Sequence, residues 1–174
     1  MELEHWKLDE LERLVNEKFP WEKRHRMAML TMGRIVGVVS KNFIKTHGYS
    51  VATTVMKREI RKLGREDAKM ITDAIGIDKV SEENIKSILN IAGIILGLKL
   101  ELTNGREVVV KDCPFFESVK ELNEPFICNL CTEYNNGILE GLVRELGRRK
   151  FVLNPAKKLS RGDEYCVYKV LKRG

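Results

Sequence analysis

The spacing of hydrophobic positions changes period once along the chain, and that change divides it. Over residues 8–18, Leu8, Leu11, Leu14 and Val15 recur at helical spacing, and Phe19-Pro20 ends the run because a residue before proline avoids the helical region. From Trp21 to about Thr46, Met27, Leu30, Ile35, Val38, Val39, Phe43 and Ile44 predict a long helix. Gly33 and Gly37 lie four apart on it and predict close packing against another helix; no Lys-Ser/Thr follows to make them a phosphate loop. "HGY" at 47–49 marks its stop. Residues 50–63 and 66–76 predict two further helices separated at Gly64. Ser81 then stands as the N-cap of a helix over about 82–96, with Glu82 and Glu83 favourable in its first turn.

The period then falls to two. Leu98, Leu100 and Leu102 alternate with Lys99 and Glu101, Asn104-Gly105 follows, and Val108-Val109-Val110 come next. This predicts a β-hairpin, since Asn-Gly supplies the two positive φ angles of a type I′ turn. After Pro114 a short helix over about 116–122 and a long one over about 125–146 are expected. "KFVLN" at 150–154 and "EYCVYKVLK" at 164–172 read as two closing strands, joined by a loop that holds Pro155 and Gly162-Asp163. N-terminal helices followed by β-β-α-β-β predict an α+β fold with a mostly antiparallel sheet covered by helices. No linker or repeat interrupts it, so residues 1–174 are expected to form a single domain, mainly helical over 1–97 and carrying the cysteines over 98–172.

Charge narrows the function classes. The net charge of +6 is spread over short runs, "EKRHR" at 22–26, "KREIRKLGR" at 57–65, "RRK" at 148–150 and "KK" at 157–158, most of them interrupted by acidic residues. A nucleic-acid groove concentrates its charge, so these read as solvated helix faces and direct nucleic-acid binding is not expected. The longest apolar run, "ILNIAGIILGL" at 88–98, falls short of the roughly 20 residues of a membrane span. The charged N-terminal stretch does not resemble a signal peptide. A cytoplasmic protein is expected, and in a reducing compartment its four cysteines are free thiols or metal ligands ahead of disulfides.

Those cysteines follow C-x14-C-x2-C-x34-C. Cys113 ends the second hairpin strand, Cys128 and Cys131 open the long helix, and Cys166 lies in the last strand. Helical spacing puts Cys128 and Cys131 on adjoining faces, with Cys131 inside the stripe of Ile127, Leu130, Tyr134, Ile138 and Leu142. Three roles stay open: a structural zinc site with sulfur ligands, buried core residues, and a reactive thiol favoured by the helix N-terminus. The usual zinc pattern has two CxxC pairs and this chain has one. A thioredoxin-like dithiol needs a preceding strand, which "ELNEPF" is not. His5, His25 and His47 read as solvated or capping residues. His25 is the exception, because Trp21, Met29 and Met32 on neighbouring turns could line an apolar cavity with it; Tyr134 is the further candidate for that pocket. Gly137 and Gly141 share one helical face, which fits either close packing against a strand or second helix or a helix edge open to a ligand.

Taken together, "VVVKDCPF", "ICNLCTEYNNGILEGL" and "NPAKKLSRGDEYCVYKV" resemble the 4-vinyl reductase domain class and its L-2-amino-thiazoline-4-carboxylate hydrolase-like relatives, over about residues 45–172 and best over 108–170. The resemblance implies an α+β fold shared with small-molecule sensor domains and vesicle-tethering subunits, usually dimeric. In the sensors, zinc held by cysteines borders a buried pocket for an aromatic or hydrocarbon ligand. Cys166 matches the cysteine after Gly-Asp, and Cys128 or Cys131 matches the helix cysteine. The sensors also carry an acidic ligand and a cysteine just before Gly-Asp, and "NPAKKLSRGD" has neither. The count of thiols nominates Cys113 and the second helix cysteine instead. The expectation is a homodimeric domain with zinc on Cys113, Cys128, Cys131 and Cys166, beside a pocket for a small apolar or aromatic ligand. The hydrolase-like branch implies the alternative, a cysteine nucleophile opening a small cyclic amide or thiazoline. Such a nucleophile needs a base, and no histidine adjoins a cysteine in sequence.

Overall fold

The change of period marks the point where helices give way to a sheet. The computed structural model describes residues 13, 15–76, 80–81, 84–101, 103, 106–123, 125–143 and 150–173. Within them, α1 (Trp21–His47), α2 (Tyr49–Ala74) and α3 (Ile85–Ile95) precede β1 (Lys99–Glu101) and β2 (Glu107–Asp112). Then come α4 (Pro114–Leu122), α5 (Ile127–Val143), β3 (Lys150–Lys157) and β4 (Cys166–Arg173). The strands form one antiparallel sheet in the order β1-β2-β4-β3, so the expected α+β class holds. Val108 lies opposite Tyr168 and Val110 opposite Cys166. These side chains, with Phe151 and Leu153 of β3, form one core with Ile88 and Leu89 of α3 and Ile138, Leu139 and Leu142 of α5.

Two predicted boundaries need correction. Residues 49–74 form one helix of 26 residues, not two broken at Gly64. Gly64 is buried because a Cβ there would collide with the Tyr134 carbonyl oxygen of α5, and a Cβ at Gly137 would collide in turn with the Arg61 carbonyl. At Gly141 it would sit 2.9 Å from the Arg65 carbonyl oxygen. The glycines therefore let α2 and α5 run backbone against backbone. Arg61 Nε donates to Glu133 at 2.9 Å, Arg65 pairs with Glu140 at 2.9 Å, and the Tyr134 hydroxyl donates to Asp67 at 2.7 Å along the same seam. The second correction concerns Pro155, which lies within β3 instead of a loop. β3 is an edge strand whose register shifts between Pro155 and Lys157, and an edge bulge tolerates a missing N–H.

Other expectations hold with altered limits. Gly33 and Gly37 pack α1 on α4, where added Cβ atoms would strike Ser118 and Leu122. Arg34 grips Glu121 at 2.7 and 2.8 Å over the same contact. The short helix starts at Pro114, whose fixed φ suits a first turn. Asn84, not Ser81, occupies the N-cap position of α3, and its Oδ1 accepts the Ser81 N–H at 2.9 Å. Of the predicted first helix, residues 13 and 15–18 are helical and the rest lies outside the described residues, as do Asn104-Gly105 and residues 144–146. Among the described residues no helix is long and apolar enough to cross a membrane.

Gly137→Ala is expected to cost about 3 kcal/mol, because the methyl meets rigid backbone. Gly162, at φ +89 with nothing within 4 Å, is the control: Gly162→Ala should cost only the left-handed penalty of about 1–2 kcal/mol. Guanidinium unfolding of both variants checks the difference, and equal losses would mean that the helices are not in backbone contact.

Candidate functional site

Between the inner face of the sheet and helices α3 and α5 lies a cleft. Leu89, Leu98, Leu100, Val108, Val110 and Leu153 make its apolar walls, and Gly93 opens one side. Its polar groups come from Cys113, Cys131, Asn135, Cys166 and Tyr168. Alternation in β2 and β4 turns Val108, Val110, Cys166 and Tyr168 inward, and helical spacing puts Cys131 and Asn135 one turn apart on α5. The cleft leaves about 30 Å³ open to the centre of a water molecule, room for about two waters.

The fold does gather the four cysteines predicted from sequence. Cys131 lies within the electrostatic reach of Cys113, Cys128 and Cys166. Burial pushes the Cys131 thiol up to about 12, and it raises Cys113 and Cys128 as well. Asn135 Nδ2 donates to the Cys131 carbonyl at 2.9 Å, and the Leu159 N–H donates to Cys166 Sγ at 3.3 Å. Thr132 Oγ1 donates to the Cys128 carbonyl at 3.2 Å, and Ser160 lies near enough to the Cys128 thiol to offset part of the effect of its burial. The Lys158 ammonium is buried in the field of Cys128, Cys131 and Cys166 and donates to Asn129 Oδ1 at 3.0 Å. Burial, and then the nearby Arg161, lower its pKa.

A closed zinc site needs deprotonated sulfurs converging at about 2.3 Å from one point. Among the described residues no three His, Cys, Asp or Glu side chains converge in that way. In this arrangement the four sulfurs form a cluster but do not fit a zinc ion.

The aromatic and methionine candidates lie elsewhere. Trp21 and Met32 are exposed, His25 and Met29 lie against Gly97, and Tyr134 faces α2 through Asp67. None of the five lines this cleft. Sequence reasoning missed Asn135, Tyr168 and Lys158. Tyr168 was within reach, since it shares the inward phase of Cys166 and Val170. Lys158 was read as one of a solvated pair. Its neighbour Lys157 is exposed, but Lys158 retains 4% of its surface, and no local pattern distinguishes them.

The thiols carry a pH signature. An unfolded thiol ionises near 9.0 and Cys131 in the fold only near 12, so between these values the native state holds the extra proton. Stability from this group is complete below pH 9 and falls above it, by up to about 1.4 kcal/mol per pH unit. Lys158, whose folded pKa is lowered, acts in the opposite direction: its share is present above its unfolded value and lost as pH falls. Cys131→Val also removes that thiol's field from Lys158 and Cys113, so the difference between the two proteins reads Cys131 together with its effect on these neighbours. Denaturant unfolding from pH 8 to 11 should show a shallower decline in Cys131→Val, and parallel curves would refute the assignment.

Comparison with known proteins places this geometry. The matched solved structures include a trafficking protein particle complex subunit 3 from Naegleria fowleri covalently bound to palmitic acid. It has 15% identity and a TM-score of 0.60, covering 85% of this chain and 96% of that one. Another is the phenol-responsive sensory domain of the transcription activator PoxR with phenol, with 15% identity and a TM-score of 0.58, covering 80% of this chain and 73% of that one. At such identity these likenesses speak for the fold alone. No curated protein sequence matches the chain. Residues 28–170 match the family described as L-2-amino-thiazoline-4-carboxylic acid hydrolase. That match spans most of the chain, from within α1 to within β4, and the chain belongs to this family.

Proposed function

We propose that the chain is a small-molecule-binding domain whose cleft between α3, α5 and the sheet holds a compact apolar or aromatic molecule. The observation that carries this reading is the lining, aliphatic walls with a few convergent polar groups and, among the described residues, no charged side chain. Asn135 and Tyr168 both line the cleft and are the candidates to meet a polar group on the ligand. The ligands of the two fold neighbours, phenol and palmitic acid, support a ligand of apolar character.

The alternative is the hydrolase of the family description, with a cysteine nucleophile. Two features weigh against it. Burial keeps Cys113, Cys128 and Cys131 protonated, whereas a nucleophile works as thiolate. The family's named substrate is a carboxylic acid, and the lining offers it no cation. Lys158 could serve a thiol as base, but it does not border the cleft.

Phenol should raise the melting temperature and shift the methyl resonances of Leu98, Leu100, Val108 and Val110. Asn135→Leu should weaken phenol binding by about tenfold, the worth of one hydrogen bond, while leaving toluene binding unchanged. Absence of any response to a panel of small arenes, or ring opening of 2-amino-thiazoline-4-carboxylate by the purified protein, would overturn the proposal.

A homodimer is part of the same reading. The outer face of α1 exposes Met27, Met32, Ile35, Val38 and Val39, each 49–59% accessible, an apolar stripe suited to a second copy. Light scattering should give a dimer for the wild type and a monomer for Val39→Glu, and a wild-type monomer at 100 μM would refute it.

A further inference from the structure

The cleft, which the reading above makes the ligand site, is too small for a ligand as it stands. Its 30 Å³ compares with the about 150 Å³ in which an engineered apolar cavity accepts benzene. A wall must move, and the walls differ in how they are held. α5 lies backbone to backbone with α2, and β2 and β4 are paired on both sides. The remaining wall is the corner where α3 turns into β1. β1 is an edge strand of three residues whose pairing with β2 is irregular between Lys99 and Leu100.

The corner itself is built to pivot. The first half of α3 is anchored: Ile85, Ile88 and Leu89 are at most 2% exposed, and Lys86 Nζ donates to Thr103 Oγ1 at 3.1 Å. Its last turn is not, since Ile94 and Ile95 are 61% and 54% exposed. Gly97, at φ +71, makes the turn, and Leu98 and Leu100 fold back under Gly93; a Cβ there would stand 3.1 Å from Leu100 Cδ1. These two leucines occupy the space that a ligand would need. From outside, α1 meets the corner through His25 and Met29, and among the hydrogen bonds of the described residues His25 supplies the link. His25 Nε2 lies 2.9 Å from the Ile95 carbonyl oxygen, and because a carbonyl only accepts, the ring nitrogen donates. Trp21 stacks on that imidazole at 5.7 Å, and Met29 lies beside Gly97.

We propose that the α3–β1 corner is the door of the cleft and that His25 is its latch. When the His25–Ile95 hydrogen bond parts, the last turn of α3 swings out on its anchored first half and draws Leu98 and Leu100 from the cleft.

Hydrogen exchange reads the latch without any ligand. The Leu98 N–H bonds the Gly93 carbonyl at 2.9 Å and the Leu96 N–H bonds the Ala92 carbonyl at 3.1 Å. In His25→Ala both amides should exchange at least tenfold faster, with the amides of Ile138 and Leu139 in α5 unchanged. His25→Gln, which keeps an N–H donor, should restore part of the protection. Benzene, followed at the Leu98 and Leu100 methyls by NMR exchange, should enter and leave severalfold faster in His25→Ala. Unchanged exchange at Leu96 and Leu98, or acceleration spread equally over α5, overturns the door. Loss of benzene binding in wild type and variant alike overturns the binding reading instead, and the exchange rates at the corner still decide whether it opens.

Discussion

The backbone contact between α2 and α5 is the constraint on which the remaining structure depends. Three glycines in helix interiors each forgo about 1 kcal/mol of helix propensity relative to alanine. Gly64, Gly137 and Gly141 do so at positions where any side chain would strike the facing backbone. The ion pairs along the seam are half exposed and worth little individually, about 0–1 kcal/mol each. They align the helices but do not hold them. Steric permission and the apolar face of α5 do, since Ile138 and Leu139 on that helix are fully buried.

Fixing α5 fixes the cleft. Cys128, Cys131 and Asn135 project from its first half, and the seam sets their height over the strands that carry Cys166 and Tyr168. The opposite wall has no such seam. The cleft thus has one rigid side that positions polar groups and one side whose last helical turn is half solvent-exposed. Recognition and access can be assigned to different walls, because the rigid one need not move for a molecule to enter.

The hairpin, the closing strands and most helix limits were legible because local period and turn chemistry determine them. Gly64 was misread because glycine in a helix looks like a break when the partner backbone is invisible, and sequence gives no sight of α5. Pro155 was misplaced because only sheet order reveals that β3 is an edge. The cysteines were singled out as a group and the fold brings them near one another, but their chemistry was not legible. Whether sulfurs converge on an ion or merely neighbour one another depends on tenths of a nanometre that spacing does not encode. The Trp21–His25–Met29 cluster is a local feature that the structure puts outside this cleft. It packs on the outside of the corner, and the cleft is built from residues far away in sequence.

The polar end of the cleft raises a question of charge that magnitudes answer. An ammonium at Lys158 and a thiolate 4 Å apart would attract by about 4 kcal/mol at an effective dielectric of 20. Bringing both ions out of water costs several kcal/mol each. Desolvation wins, which is why burial is the leading cause of the raised thiols and of the lowered lysine alike. Burial drives Cys113, Cys128, Cys131 and Lys158 each toward its neutral form. A neutral sulfur cluster of this kind is a soft, polarisable surface more than a nucleophile. It can border an apolar molecule at little desolvation cost, and that is what the aliphatic walls beside it require.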